Sequence, residues 1–322
     1  MNQVTVQKVY ADLENPLKMT LLTELPEGDI ALDAPDVHRP GMAMMGFMEN
    51  FLPHRVQVLG ESEMAYLDTL DPAGQDAAVS NLAFLEAPVI FITRGLRVPD
   101  PVLTAARENG IPVVRSTMPT EEFIRDLSAH LSDVFAPRLD VHGTLVDVYG
   151  VGMLITGKSG IGKSECALDL VERGHRLVAD DVVEVCKVSE DVIIGRFREV
   201  LQHNIEIRGV GVVDVQAVFG IRGIRMQKRI EVAVDLQRWR DDTDYERMGL
   251  ERDYTEYLGV QIPRIIVPIF PGKNITVIAE VIALDSMLRV YGIDSAHDLN
   301  RRIMETLHSG DRLSRYLRHD RE

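Results

Sequence analysis

Cysteine is nearly missing from this chain: of 322 residues only Cys166 and Cys186 carry a thiol, too few and too isolated for a disulfide framework or a thiolate zinc site. Long apolar runs are missing as well. No stretch approaches the roughly 20 residues that span a bilayer. The opening segment MNQVTVQKVYADLENP lacks the basic-then-apolar order of a secretory leader, so no leader is expected. Positive charge is also scarce: 35 Lys and Arg stand against 50 Asp and Glu, a formal charge of −15. Nucleic acids and anionic membranes both require a cationic surface, so neither is an expected partner of the chain as a whole. A reducing, cytoplasmic compartment is the expected setting.

What is present is ordinary for a globular protein, with 45% hydrophobic and 26% charged residues. The length suits one large domain or two ordinary ones, at roughly 150 residues each. Charge is placed unevenly. Residues 1–135 carry 20 acidic and 9 basic side chains, whereas residues 136–322 carry 30 and 26. That shift, together with Pro137, predicts an N-terminal α/β domain over 1–135 and a second domain over 136–322.

In the first domain, residues 4–9 alternate as a strand would, and residues 19–25 read as a short helix. Residues 55–59 and the apolar run 87–93 are strand candidates, the latter buried on both faces. Helices are predicted over 61–70, 105–110 and 120–131, and a strand over 111–115. Strands alternating with helices indicate a parallel sheet covered by helices. The cluster Met42, Met44, Met45, Phe47 and Met48 is read as core packing at a helix start. No phosphate loop, metal cluster or nucleophile signature precedes residue 140.

The second domain is more informative. A β-rich run over 144–156 leads into Gly157-Lys158-Ser159-Gly160-Ile161-Gly162-Lys163-Ser164, which matches G-x-x-x-x-G-K-[ST] in full. The glycines let the backbone curl into a nest of N–H groups aimed at phosphate oxygens, and the following helix, over 165–173 and stopped by Gly174, adds its positive N-terminus. Lys163 would neutralise terminal phosphates, and the Ser164 hydroxyl would ligate Mg²⁺. Shortly downstream, the strand Leu177-Val178-Ala179 ends in Asp180-Asp181, as a Walker B element does. Adjacent acids on a strand point to opposite sides, so only one would face the phosphates. A guanine-reading Asn-Lys-x-Asp is absent, which disfavours a small GTPase. In Ile205-Glu206-Ile207-Arg208-Gly209, alternation puts Glu206 and Arg208 on one face, where they can offer a carboxylate to metal and a charge to phosphate.

The run HGTLVDVYGVGMLITGKSGIGKSECALDLVERGHRLVADD, with IEIRGVGVVDV downstream, closely resembles the bifunctional HPr kinase/phosphorylase family. The match is dense over 142–214, weaker over 236–283 and general before 135. The resemblance implies a C-terminal kinase domain with a phosphoenolpyruvate carboxykinase-like core, and a homohexamer acting in the regulation of carbon metabolism. It implies ATP-dependent phosphorylation of a serine on the phosphocarrier protein HPr. It also implies the reverse attack of inorganic phosphate on that phosphoserine, releasing pyrophosphate. It assigns catalytic roles to His142, Lys163, Asp181 and Arg247, metal binding to Ser164 and Glu206, and a catalytic segment to residues 205–214. A phosphorolysis loop that usually reads V-R-P-G-R-N is here Ile269-Phe270-Pro271-Gly272-Lys273-Asn274. Phe270 replaces an arginine, and Lys273 lacks the planar fork that grips phosphate. The alternatives are a small-molecule kinase or carboxykinase-like enzyme on the same phosphate loop, and a nucleotide sensor without chemistry. Further on, residues 275–290 read as strand or helix and 297–307 as an amphipathic helix. A solvated basic tail with Arg312, Arg315 and Arg318 follows.

Overall fold

The apolar run near residue 90 is the middle of a sheet. In a computed structural model of the chain, which describes residues 4–49, 51–81, 86–198, 202–240 and 253–306, the chain folds as two units, Met1–Ala136 and Pro137–Glu322.

The first unit runs α1 (Val6–Leu13), β1 (Met19–Leu21), β2 (Val37–His38), α2 (Gly41–Met44), β3 (Val56–Leu59), α3 (Glu61–Asp68), α4 (Pro72–Asn81), β4 (Ile90–Ile92), α5 (Asp100–Glu108), β5 (Val113–Ser116) and α6 (Thr120–Phe135). Its sheet has the order β1-β5-β4-β3-β2. Strands β2 to β5 are parallel, and β1 is an antiparallel edge. Every residue of β4 is buried, as the unbroken apolar run requires.

Two elements differ from the sequence expectation. Residues 4–9 are mostly helix, because the Thr5 hydroxyl accepts from the Lys8 N–H at 3.3 Å and caps α1. Val6, Val9 and Leu13 then share the buried face, a helical period that a six-residue window cannot separate from alternation. Residues 19–21 form β1 rather than a helix, paired through Met19 with Ser116. The methionine cluster also departs from a core role: only Met44 is buried, whereas Met42 and Met45 are about three-fifths exposed and Phe47 and Met48 nearly half. The four-residue α2 has too few turns to hide more than one of them.

The second unit runs β6 (Arg138–His142), β7 (Thr144–Val148), β8 (Val151–Gly157), α7 (Lys163–Glu172), β9 (Arg176–Ala179), β10 (Val182–Ser189), β11 (Val192–Arg196), β12 (Asn204–Ile207), β13 (Gly211–Asp214), α8 (Val215–Phe219), β14 (Gln227–Arg229), β15 (Val232–Arg238), β16 (Asp253–Tyr257), β17 (Val260–Ile269) and α9 (Ile275–Val290). Six strands form one sheet in the order β16-β17-β15-β8-β7-β9. Its centre, β8-β15-β17, is parallel. One face is covered by α7 and α9, whose Leu170, Val171, Ile282 and Ala283 pack on Met153, Ile155 and Val234. The other face meets a four-stranded antiparallel sheet, β14-β11-β10-β6, through Leu145, Leu154, Val183, Val185 and Ile193. Residues 275–290, left open between strand and helix, are helical; Asn274 caps them by accepting from the Val277 N–H at 3.1 Å. Among the described residues no helix is long and apolar enough to cross a membrane.

Candidate active site

Strand β8 delivers the chain to a loop that needs glycine at three positions. Gly157, Gly160 and Gly162 all have positive φ, at 138°, 72° and 105°. The loop ends on α7, which Cys166, Ala167, Leu170 and Val171 anchor in the core. Lys163, its first residue, is buried, and its Nζ donates to the Gly157 carbonyl at 3.2 Å. The cation is thus folded over its own loop, at the positive end of a ten-residue helix.

The paired acids after β9 divide sharply. Asp180 is 4% exposed. Its Oδ1 accepts from the Thr144 hydroxyl at 2.5 Å, and its Oδ2 from the Ser164 hydroxyl at 2.9 Å. Asp181 sits at φ +64°. The Val182 N–H donates to the Asp180 carbonyl at 2.8 Å across it, so Asp181 is the centre of a three-residue γ-turn. That backbone costs about 1–3 kcal/mol and persists only where its surroundings impose it. Here the Gly143 N–H, donating to the Asp181 carbonyl at 3.0 Å, helps to do so. The reversal throws the Asp181 carboxylate outward, with Oδ1 3.3 Å from Nδ1 of His142; the two side chains are 63% and 55% exposed. One acid therefore faces the phosphate-loop serine and the other faces His142. Sequence reasoning assigned Asp180 no role. Two adjacent acids at one strand end carry the same local pattern, so nothing in the sequence separated Asp180 from Asp181 as the buried one.

The hairpin β12–β13 follows. Ile205 and Ile207 pack on the core beneath α7, which leaves Glu206 on the outer face. Arg208 lies directly against the phosphate loop: a Cβ built on Gly160 would stand 2.7 Å from both Cζ and Nη2 of its guanidinium. Asp214, at the end of the segment, instead caps α8 by accepting from the Ala217 N–H at 2.9 Å. No group of three or more His, Cys, Asp or Glu side chains is assembled as a metal cage among the described residues. Ser164 and Asp180 meet at 2.9 Å, and hydroxyl and carboxylate oxygens such as theirs and that of Glu206 are of the hard type that suits Mg²⁺, which keeps several of its waters and needs few protein ligands.

Residues 270–273 form a turn in which the Lys273 N–H donates to the Phe270 carbonyl at 3.1 Å. Pro271 followed by Gly272 at φ +88° is the composition of a type II turn. Lys273 does not extend into solvent. Its Nζ donates to the Pro268 carbonyl at 2.6 Å and lies 5.4 Å from the Phe270 ring centroid, and burial lowers its pKa. Arg247, Arg312, Arg315 and Arg318 lie outside the described residues.

Comparison with known proteins agrees with this architecture. The HPr Serine kinase N terminus matches residues 4–131, and the HPr Serine kinase C-terminal domain matches residues 133–303. An HPr kinase/phosphorylase of Chloroherpeton thalassium is 42% identical over 328 residues, covering 99% of this chain and 96% of the relative. Another, from Chlorobium phaeobacteroides, is 44% identical over 307 residues, covering 94% and 91%. A solved HPr(Ser) kinase/phosphatase from Coxiella burnetii is 31% identical and covers 50% of this chain and 98% of its own, at a TM-score of 0.45. With both domain matches in chain order and more than two-fifths identity along nearly the whole length, the chain belongs to the HPr serine kinase family.

Proposed function

We propose that this protein phosphorylates a serine of the phosphocarrier HPr with ATP, and reverses the reaction by phosphorolysis with inorganic phosphate. Residues 136–322 carry the chemistry, in a cytoplasmic homohexamer. The observation that carries the reading is the division of labour between Asp180 and Asp181 beside the phosphate loop. Phosphoryl transfer asks for cations around the phosphates and a group to take the proton of the nucleophile; a buried carboxylate on the phosphate-loop serine, able to help hold a cation, and an exposed one turned to His142 support that reading.

The loop Gly157–Ser164 and the α7 N-terminus receive the phosphates, with Lys163 and Arg208 supplying positive charge. Ser164, Asp180 and Glu206 would hold Mg²⁺, which neutralises charge on the phosphate oxygens. Asp181 accepts the proton of the incoming serine hydroxyl as its oxygen bonds to the γ-phosphorus and the bond to ADP breaks. In reverse it returns that proton to the departing serine oxygen while phosphate oxygen takes the phosphorus, giving pyrophosphate. His142 orients the Asp181 carboxylate, and Arg247 contributes a further charge. Pro271, Gly272, Lys273 and Asn274 form the loop used in phosphorolysis. For assembly, the outer face of α9 offers Val277, Val281, Leu284 and Leu288, exposed at alternating spacings of four and three, as a helix packed on a second copy requires.

Purified protein mixed with HPr, Mg²⁺ and γ-labelled ATP tests the proposal directly. Label on an HPr serine, then released as pyrophosphate on adding phosphate, is the expected result. ATP turnover driven by a metabolite and indifferent to HPr would replace it with a small-molecule kinase, and tight ATP binding without transfer with a sensor.

A further inference from the structure

The carboxyl ends of β8, β15 and β17 form one edge of the central sheet, because Leu236 pairs with Gly157 and Arg238 with Ile269 in parallel register. Ligands of open parallel sheets bind outside this edge. Gly157 begins the phosphate loop there. On the same edge the next strand, β15, leads into Trp239, the only tryptophan of the chain, and the one beyond it, β17, leads into Phe270. Their rings meet at 86° with centroids 6.2 Å apart, and each residue is 47% exposed. Two large aromatic rings left half in water at the rim of a sheet are not serving the core.

The corner they form is held from three sides. The Trp239 backbone N–H donates to the Ile269 carbonyl at 2.9 Å, which carries the β15–β17 pairing one residue further, to the backbone of Trp239. Phe270 opens the Pro271-Gly272 turn closed by Lys273. The Lys273 ammonium, fixed on the Pro268 carbonyl, stands 5.4 Å from the phenyl centroid. Trp239 lies three residues beyond Leu236 and thus about 10 Å along the strand direction from the level of Gly157. We infer that this corner is the base subsite of the nucleotide: the phosphates lie on Gly157–Ser164, and the base stacks on one ring of the corner with its edge toward the other. Flat heterocycles bind aromatic side chains through their faces, with little demand on base identity.

The inference rests on the phosphate-loop reading above, and its test keeps the two apart. Calorimetric titration of the full-length chain compares ATP with inorganic tripolyphosphate, each with Mg²⁺. The wild type is expected to bind ATP more tightly. Phe270→Leu and Trp239→Leu are each expected to weaken ATP about tenfold, as loss of one stacked base does. Tripolyphosphate affinity stays within about twofold, so the preference for ATP disappears. An unchanged ratio in both variants overturns the base subsite, whether both ligands weaken together or neither does. Lys163→Ala weakens both ligands; if it binds them as the wild type does, the phosphate-loop reading fails instead.

Discussion

Exchanging one oxygen for an amide nitrogen at two adjacent positions should produce opposite kinds of damage. In the mechanism proposed above, Asp181→Asn removes the acceptor of the serine proton. General-base assistance is worth about 10²–10⁴-fold, so HPr phosphorylation should fall by that factor. Stability should hardly change. The partner, His142, and Asp181 are both more than half exposed, and such pairs contribute at most about 1 kcal/mol. Asparagine also accepts the left-handed backbone that this position requires. A melting temperature within about 3 °C of the wild type follows, with ATP affinity preserved.

Asp180→Asn strikes a different balance. The carboxylate is almost wholly buried and accepts from two hydroxyls, Thr144 and Ser164. A hydrogen bond to a buried charged group is worth about 1.5–3 kcal/mol, and the amide forfeits about one of them. For a unit of this size that corresponds to a melting temperature lower by roughly 3–10 °C. Kinase rate and calorimetric melting on the same two preparations suffice as the assay. An Asp181→Asn protein that phosphorylates HPr normally, or an Asp180→Asn protein as stable as the wild type, would refute the division of roles.

Other perturbations follow from single contacts. Gly160→Ala must place a Cβ at φ +72° and against the Arg208 guanidinium, so it should cost about 1 kcal/mol or more in urea unfolding and weaken ATP binding together. Burial pushes the Cys166 thiol up to about 11, which leaves it protonated at pH 8; mass spectrometry after iodoacetamide treatment should find it alkylated only once the protein unfolds. Arg225→Ala strands the buried carboxylate of Asp147, its partner at 2.6 Å, and should destabilise the second unit by about 1–3 kcal/mol, a range reduced because the arginine is partly exposed. An unchanged urea midpoint would show that this pair does not stabilise the fold.

Much of the site was legible because it is local. The phosphate loop is eight consecutive residues with a strand before and a helix after, and each part announces itself by type and spacing. The three central strands of the first unit, at 56–59, 90–92 and 113–116, were legible for the same reason: each is short, carries adjacent or alternating apolar residues and has Gly or Pro close by. Errors arose where a short segment was judged without its partners. Residues 4–9 satisfy both periods, and the Thr5 cap decides between them. Residues 19–21 become strand only because β5 presents an edge to them. Arg208 is the opposite case: alternation alone offers it with Glu206 as a charge for phosphate, and its guanidinium does lie against Gly160 of the phosphate loop.

The acids after β9 show why chemistry is harder to read than fold. On an ideal strand, neighbours point to opposite faces, and one of Asp180 and Asp181 would have to be idle. The strand ends at Ala179, however, and the γ-turn replaces a face relation by a reversal. A buried carboxylate can then be tied to Ser164 while the next one, mostly in water, meets His142 from β6. No propensity scale favours an aspartate at φ +64° over glycine. The strained backbone is held by the Val182 and Gly143 amides, and the proposed role of the side chain gives a reason for an aspartate there. Replacing Asp181 by Gly should therefore raise the melting temperature by relieving that strain while abolishing transfer, an inverse relation between stability and activity that a surface carboxylate without function would not show.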